Sequence, residues 1–127
     1  MLTIPQISDS EWQVMKVIWA NDFSTANEVV ETLSKTTSWK PMTIRTLINR
    51  LVTKGVLDYK IDELDKKTYH YFPIVSESEC VKEESKSFLK RVFGGSVNVM
   101  MANFLDVCEL SEEQIDELKD ILDKRKG

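Results

Sequence analysis

The sequence predicts a mainly α-helical fold with one small β-hairpin, and three observations lead to this fold class. Apolar residues recur at helical spacing before residue 56 and again after residue 73. Between those positions the period changes to two, and β-branched and aromatic residues dominate. Serine followed three residues later by glutamate or glutamine, a helix-capping pattern, precedes three of the helical stretches. The predicted order is therefore three helices, a hairpin and three further helices.

The first helix is predicted to begin after the capping pair Ser8 and Glu11 and to run to about Ala20. Its apolar stripe consists of Trp12, Met15, Ile18 and Trp19. Ser24 is predicted to cap a second, shorter helix that runs to about Ser34. The inward-facing residues of this second helix are expected to be Ala26, Val29, Val30 and Leu33.

The third helix is predicted from about Pro41 to Lys54, because proline suits the first turn of a helix. Its apolar stripe is formed by Ile44, Leu47, Ile48 and Leu51. Gly55 follows at the position where a left-handed residue often ends a helix. The hairpin comes next, with strands at 56–61 and 68–73 and a polar tip at 62–67.

The rest of the chain is predicted to be helical. A capping pair, Ser76 and Glu79, begins a helix that extends to about Phe93. Its apolar positions are Val81, Phe88, Leu89 and Val92. Gly94-Gly95 separates it from a helix at about 96–106, and Ser111 with Gln114 caps the last one. Residues 1–73 thus read as a winged helix-turn-helix domain, and residues 74–127 as a helical region without a core of its own size.

The distribution of charge matters more than its total. The 127-residue chain has a net charge of −4, which by itself argues against nucleic acid as a partner. Basic and acidic residues balance in residues 1–73, so the net acidity lies in residues 74–127. No acid occurs between Glu31 and Asp58, a stretch that carries five basic residues centred on the third helix. Such a local field can engage phosphates whatever the overall charge.

The exposed face of the third helix offers groups that can read base edges. Arginine can bind guanine bidentately, asparagine can bind adenine, and threonine or methionine can contact a thymine methyl. Lysines at the helix ends and at the hairpin tip could reach phosphates. The predicted DNA-binding residues are Lys40, Met42, Thr43, Arg45, Thr46, Asn49, Arg50, Lys54, Lys66 and Lys67. The alternatives are an ordinary solvated basic face and a winged helix that binds another protein.

The sequence contains few of the motifs that enzymes use for catalysis. It contains no phosphate-binding glycine loop and no nucleophile motif, and His70 is the single histidine. We therefore predict no enzyme, no cofactor and no metal, and a structural role or a phosphate contact for His70. Cys80 and Cys108 are expected to be partly buried apolar residues, although a thiol-based sensor is a weaker alternative. The absence of a signal peptide and of a disulfide pattern predicts a cytoplasmic protein.

Several blocks of the sequence carry a resemblance to a known family. They are Ser10–Met15 with Ile18-Trp19, Trp39–Leu51, Lys54-Gly55, Tyr69–Pro73, Phe88-Leu89, Gly94-Gly95, Ala102–Phe104 and Leu110–Leu118. The chain resembles the penicillinase-repressor family, the BlaI/MecI/CopY group of bacterial transcriptional repressors. The resemblance spans nearly the whole chain, and its block from Trp39 to Leu47 is the most specific part.

The resemblance implies a homodimer on a two-fold symmetric DNA operator, with residues 1–73 reading DNA and residues 74–127 forming the dimer. The apolar content of the second region agrees, because a two-fold interface would bury residues that lack partners within one chain. The predicted interface comprises Phe88, Leu89, Val92, Val97, Met100, Met101, Phe104, Leu105, Ile115, Leu118, Ile121 and Leu122. The alternative is a helical cap folded back on the winged helix.

The resemblance also implies a way to switch the repressor off. In the β-lactam branch of the family, a membrane sensor protease leads to cleavage of the repressor at an Asn-Phe bond, and Asn103-Phe104 matches that position. The copper branch ends in Cys-x-Cys motifs that bind Cu(I) or zinc, and this chain has no such tail. A repressor of the same family that lacks the Cys tail and is of the copper type or controls another target stays open as an alternative.

Overall fold

A computed structural model of the chain describes residues 4–127; Met1 to Thr3, the first residues of the predicted DNA-binding domain, lie outside the described residues. The chain forms two compact units, Met1–Glu84 and Ser85–Gly127. The elements are α1 (Asp9–Asn21), β1 (Ser24–Thr25), α2 (Ala26–Ser34), α3 (Pro41–Thr53), β2 (Leu57–Ile61), β3 (Tyr69–Pro73), α4 (Glu77–Phe93), α5 (Val97–Val107) and α6 (Glu112–Arg125). The helix α4 begins in the first unit and ends in the second. The predicted mainly helical fold with a small β-hairpin is confirmed.

The first unit is held by a core to which α1, α2, α3 and the sheet all contribute. Half of the predicted apolar stripe of α1 belongs to the core. Met15 and Ile18 are fully buried, whereas Trp12 and Trp19 are partly buried and pack against the core. The two indole rings pack 5.4 Å apart, and the Trp19 Nε1 donates a hydrogen bond to the Val75 carbonyl at 3.1 Å. This bond ties α1 to the segment that leads into α4.

The start of α4 belongs to the same packed unit as the winged helix. Val75 and Cys80 are buried in the core of the first unit. Lys16 of α1 pairs with Glu77 in the first turn of α4. The predicted capping pair is present, since the Ser76 Oγ accepts from the Glu79 N–H at 3.1 Å and the Glu79 carboxylate accepts from the Ser76 N–H at 3.2 Å. The packed unit therefore extends past residue 73, to Glu84.

The beginning of α2 differs from the prediction. The N-cap is Thr25, whose Oγ1 accepts from the Glu28 N–H at 3.2 Å while the Glu28 carboxylate accepts from the Thr25 N–H at 3.0 Å. Ser24 was predicted as the cap, and this prediction is wrong because Ser24 lies in the strand β1. There it pairs with Tyr71, and its side chain is fully buried.

The strand β1 also changes the sheet. The sequence predicts a two-stranded hairpin, whereas the sheet has three antiparallel strands in the order β1-β3-β2. The hairpin itself matches the prediction to within a residue, with Tyr59 opposite Tyr71 and Ile61 opposite Tyr69. In α3 the predicted stripe of Ile44, Leu47, Ile48 and Leu51 is buried. Gly55 follows with φ +82°, the left-handed conformation expected there.

The second unit is built from the end of α4, from α5 and from α6. Its packing centre is a cluster of three phenylalanine rings, in which Phe88, Phe93 and Phe104 lie between 5.7 and 6.3 Å apart. The predicted capping box of Ser111 with Gln114 is present at the start of α6, and Ser96, predicted as the first residue of its helix, is the N-cap of α5. No residue of α5 or α6 is buried. The second unit therefore keeps much of its apolar surface outside.

The Ser24 hydroxyl gives a test of the fold, because its Oγ is buried without a hydrogen-bond partner among the described residues. Desolvating such a hydroxyl costs roughly 1–3 kcal/mol. We expect Ser24→Ala to leave the free energy of unfolding in urea unchanged or to raise it by up to about 1 kcal/mol. The control Thr25→Ala removes a helix cap and is expected to lower it by about 1 kcal/mol. An equal loss in both variants would show that the Ser24 hydroxyl has a stabilising partner.

Candidate nucleic-acid interface

The solvent-facing side of α3 carries most of the predicted DNA-binding residues. Because the core stripe occupies one side of the helix, the side chains of the opposite side are left in solvent. Met42 is 78% exposed, and the other members are exposed as well: Thr43, Arg45, Thr46, Asn49 and Arg50. Lys40, also exposed, is the N-cap of α3 and makes no side-chain capping hydrogen bond. The helix thus presents two guanidinium groups, an amide, hydroxyls and a thioether on one surface.

Two threonine hydroxyls on this surface are already used by the helix. The Thr46 Oγ1 donates to the Met42 carbonyl at 2.9 Å, and the Thr53 Oγ1 donates to the Asn49 carbonyl at 3.0 Å. Because each hydroxyl has one proton, these groups can offer a partner only their lone pairs and their methyl groups. Thr46 is therefore suited to an apolar contact or to accepting a hydrogen bond.

A cleft of about 300 Å³ lies between the start of α2, the first half of α3 and the strand β3. It brings together three predicted DNA-binding residues, Arg45, Asn49 and Lys67. Its other lining residues are Thr25, Ala26, Asn27, Ile48, Thr68, Tyr69 and Tyr71. The Arg45 Nη2 donates to the Asn27 Oδ1 at 2.5 Å, which fixes one edge of the guanidinium and leaves its other donors available.

The tip of the hairpin is an ordered turn built on two aspartates. The Asp62 Oδ1 accepts from the Leu64 and Asp65 N–H groups at 2.9 and 3.2 Å, which lowers the pKa of Asp62. Asp65 accepts from the Thr68 hydroxyl at 2.6 Å and from the Lys67 N–H at 3.0 Å, and its pKa is lowered too. Asp62 and Asp65 are therefore both hydrogen-bonded to other residues of the turn.

Three further side chains complete the hairpin. Lys66 and Lys67 are exposed at the tip, as the predicted phosphate contacts require. The His70 Nε2 lies 3.2 Å from the Asp62 Oδ2, so His70 supports the turn from the strand β3. The predicted structural role of His70 agrees with this contact.

Lys54 occupies a different position from the rest of the predicted set. Its Nζ contacts the Glu11 Oε1 at 2.5 Å and the Gln6 carbonyl at 3.0 Å, and thereby joins the end of α3 to the start of α1. Burial raises the pKa of Glu11, but the hydrogen bonds from Lys54 and from Ser8 outweigh it and bring that pKa below its ordinary value of 4.5. Lys54 thus neutralises a buried carboxylate, a role that the sequence reading missed.

The bond predicted to be cleaved lies within the helix α5. The Asn103 Nδ2 donates to the Val99 carbonyl at 2.8 Å, and Phe104 is 39% exposed while its ring contacts the phenylalanine cluster. Of the two cysteines, Cys80 is buried, and that burial raises the pKa of its thiol. Cys108 is exposed, so the prediction of partial burial is wrong for it; the residue lies just after the last turn of α5, outside any packed face.

Asn27, Thr68 and Tyr71 line the cleft and were missed by the sequence reading. They come from the start of α2 and from β3, which are separated along the chain from α3. No local pattern indicated them, because the short strand β1, which brings the first turn of α2 to β3, is itself formed by pairing between distant segments. Only the three-stranded sheet brings these segments together.

The arrangement of three helices, a small antiparallel sheet and an exposed, acid-free third helix defines a winged-helix DNA-binding protein. The family model for the penicillinase repressor matches residues 7–124. The chain therefore belongs to the penicillinase repressor family, whose members are transcriptional repressors and not enzymes.

Curated relatives agree with this assignment. The penicillinase repressor of Bacillus licheniformis is 44% identical over 127 residues, which cover all of this chain and 97% of that protein. The methicillin resistance regulatory protein MecI of Mammaliicoccus sciuri is 39% identical over 120 residues, 94% of this chain and 95% of that protein. The homologues are thus regulators of β-lactam resistance.

Solved structures show the same fold. The solution structure of the Bacillus licheniformis BlaI monomeric form in complex with the blaP half-operator has a TM-score of 0.53 and 44% identity, and the match covers 62% of this chain and 93% of that one. Wild-type MarR of E. coli in its apo form matches with a TM-score of 0.55 over 93% of this chain and 76% of that one. Its identity of 16% supports the fold alone. Within residues 4–127, no helix is both long and apolar enough to cross a membrane.

The pair of Lys54 and Glu11 allows a structural role to be separated from a role in DNA binding. We expect Lys54→Ala to lower the free energy of unfolding at pH 7 by about 2–3 kcal/mol, less than for a fully buried pair because the Lys54 side chain is 34% exposed. Lys40→Ala, at the exposed start of the same helix, is the matched control and should change it little.

The pH dependence of this loss provides a second measurement. Glu11 has a lowered pKa in the folded state, so its stabilising effect is present above its unfolded pKa and is lost as the pH falls through the folded value. The difference between wild type and Lys54→Ala in urea unfolding should therefore shrink below about pH 4. A difference that is independent of pH would contradict the pairing.

Proposed function

We propose that the chain is a homodimeric transcriptional repressor that binds a palindromic operator through α3 and controls β-lactam resistance genes. The observation that carries the proposal is the exposed face of α3, which holds Arg45, Asn49 and Arg50 in a segment without acids. As a protein that acts on genomic DNA, it would work in the cytoplasm. The 44% identity to a penicillinase repressor supports the choice of target genes.

In this proposal α3 lies in the major groove and the hairpin tip lies beside it. Arg50 and Asn49 read base edges, because their side chains are exposed and make no hydrogen bond within residues 4–127. Met42, Thr43 and Thr46 supply contacts to thymine methyl groups or to the backbone. Lys40, Lys66 and Lys67 contact phosphates and fix the register, whereas Lys54 contributes by holding α3 in place.

The second unit supplies the proposed dimer interface. None of the twelve predicted interface residues is buried in the single chain. Val92, Leu105, Ile121 and Leu122 are each more than half exposed, a large apolar surface for a protein that remains a monomer. A two-fold interface would cover this surface and place two copies of α3 on the two halves of a palindrome.

We propose that cleavage of the Asn103-Phe104 bond inactivates the repressor, through a pathway that begins at a membrane sensor protease. The cut would remove Phe104 from the phenylalanine cluster and detach α6 from the rest of the chain. Loss of the dimer then removes the gain in affinity that comes from binding two half-sites at once. The bond lies inside a helix, so α5 has to open locally before a protease can reach it.

Operator binding is the direct test of the α3 assignment. A palindromic duplex is first selected by the full-length chain from a random library, and binding is then followed by fluorescence anisotropy. Arg45→Ala and Arg50→Ala should each weaken specific binding by about 1–3 kcal/mol. Lys119→Ala removes an exposed charge from α6 and should leave affinity unchanged. Two chains should bind each palindrome. Unchanged affinity in both arginine variants would exclude α3 as the reading helix.

Cleavage is tested in cells that carry a β-lactam-inducible resistance system, with immunoblots of an N-terminally tagged chain. Asn103→Ala and Phe104→Ala should each block inducible proteolysis and leave operator binding intact. Asn98→Ala, in the first turn of the same helix, is the matched control and should be cut normally. If both variants at the proposed bond were cut at the normal rate, the site would lie elsewhere.

A further inference from the structure

The cleft between α2, α3 and β3 contains a hydroxyl without a partner. Tyr71 is only 8% exposed, and it lines this cleft. No hydrogen bond to the Tyr71 hydroxyl is present within residues 4–127, although its ring is packed 5.9 Å from that of Tyr59. Among the described residues only the Ser24 Oγ is both fully buried and unpartnered, so the Tyr71 hydroxyl oxygen still reaches the solvent of the cleft. The hydroxyl therefore has the means to bind something that enters the cleft.

The surroundings of this hydroxyl favour an anion. Arg45 and Lys67 line the cleft, and no carboxylate is among its lining residues. Two acids close in sequence to lining residues are engaged, because Glu28 caps α2 and Asp65 accepts from Thr68 and Lys67. Burial raises the pKa of Tyr71, so the phenol keeps its proton and acts as a donor. Tyr71, Arg45 and Lys67 thus offer one neutral and two charged donors in the same space.

We propose that this cleft is a subsite for one backbone phosphate of the bound duplex, in which the Tyr71 hydroxyl and the Arg45 guanidinium donate to the phosphate oxygens. The inference rests on the proposed function, since it places the DNA backbone between α3 and the hairpin. Arg45 then acts as a phosphate ligand held by Asn27, and base reading falls mainly to Arg50 and Asn49. Tyr71 is then a direct ligand of the same phosphate and takes no part in base reading.

The geometry of the tyrosines gives a matched control. Tyr59 and Tyr69 stack with ring centroids 4.5 Å apart, and Tyr71 packs obliquely against both. Tyr59 is not among the residues that line the cleft, so its hydroxyl can be removed without touching the subsite. Both Tyr71→Phe and Tyr59→Phe keep the aromatic ring. Only Tyr71→Phe removes a hydrogen-bond donor from the cleft.

The test uses the full-length chain and the selected palindromic duplex. Tyr71→Phe should weaken binding roughly ten- to hundredfold, the amount expected for one hydrogen bond to a charged group. The loss should be the same on operator and random duplexes, because a phosphate contact carries no sequence information. Tyr59→Phe should bind as wild type does. Equal affinities of Tyr71→Phe and wild type for the operator would overturn the inference while leaving the proposed function intact.

A second arm locates the phosphate and identifies its source. Each phosphate of one half-site is replaced in turn by a neutral methylphosphonate. At one position the replacement should lower the affinity of the wild-type chain to that of Tyr71→Phe. If no position has this effect, the subsite does not hold the DNA backbone. Inorganic phosphate alone is titrated while amide resonances of residues 25–27 and 67–68 are followed. Phosphate binding that depends on Tyr71, in a chain that binds no duplex, would overturn both the DNA assignment and the proposed function.

Discussion

The orientation of α3 depends on one buried carboxylate. Glu11 accepts from the Ser8 N–H at the start of α1 and from Lys54 at the end of α3, so a single side chain connects two helix termini. A buried charge is tolerated only when its hydrogen bonds are satisfied, which restricts how the two helices can move against each other. The position of the exposed surface of α3 depends on this contact, and so does the shape of the cleft that α3 forms with β3.

The sequence indicated the helices well because their signals are local. Capping pairs such as Ser8 with Glu11, and the helical spacing of Ile44 and Leu51, depend only on neighbouring residues. The error at Ser24 has a tertiary cause, because pairing with Tyr71 draws Ser24 into the sheet and passes the cap to Thr25. Local patterns do not report such pairing between distant segments.

The candidate interface was predictable in part for the same reason. The exposed face of α3 follows from the position of its buried stripe, so Arg45, Asn49 and Arg50 could be selected by geometry. Lys54 lies on the same helix and could not be separated from them, because its partner Glu11 is 43 residues away. The contribution of Tyr71 to the cleft likewise depends on the three-stranded sheet, so it could not be predicted from the sequence.

Reciprocal capping defines the starts of four helices, at Ser8, Thr25, Ser76 and Ser111. Each of these motifs closes within four residues, so its hydrogen bonds need no distant partner, even at Thr25, where the sheet decides which residue becomes the cap. Local contacts of this kind favour fast folding, because little chain entropy is lost in forming them.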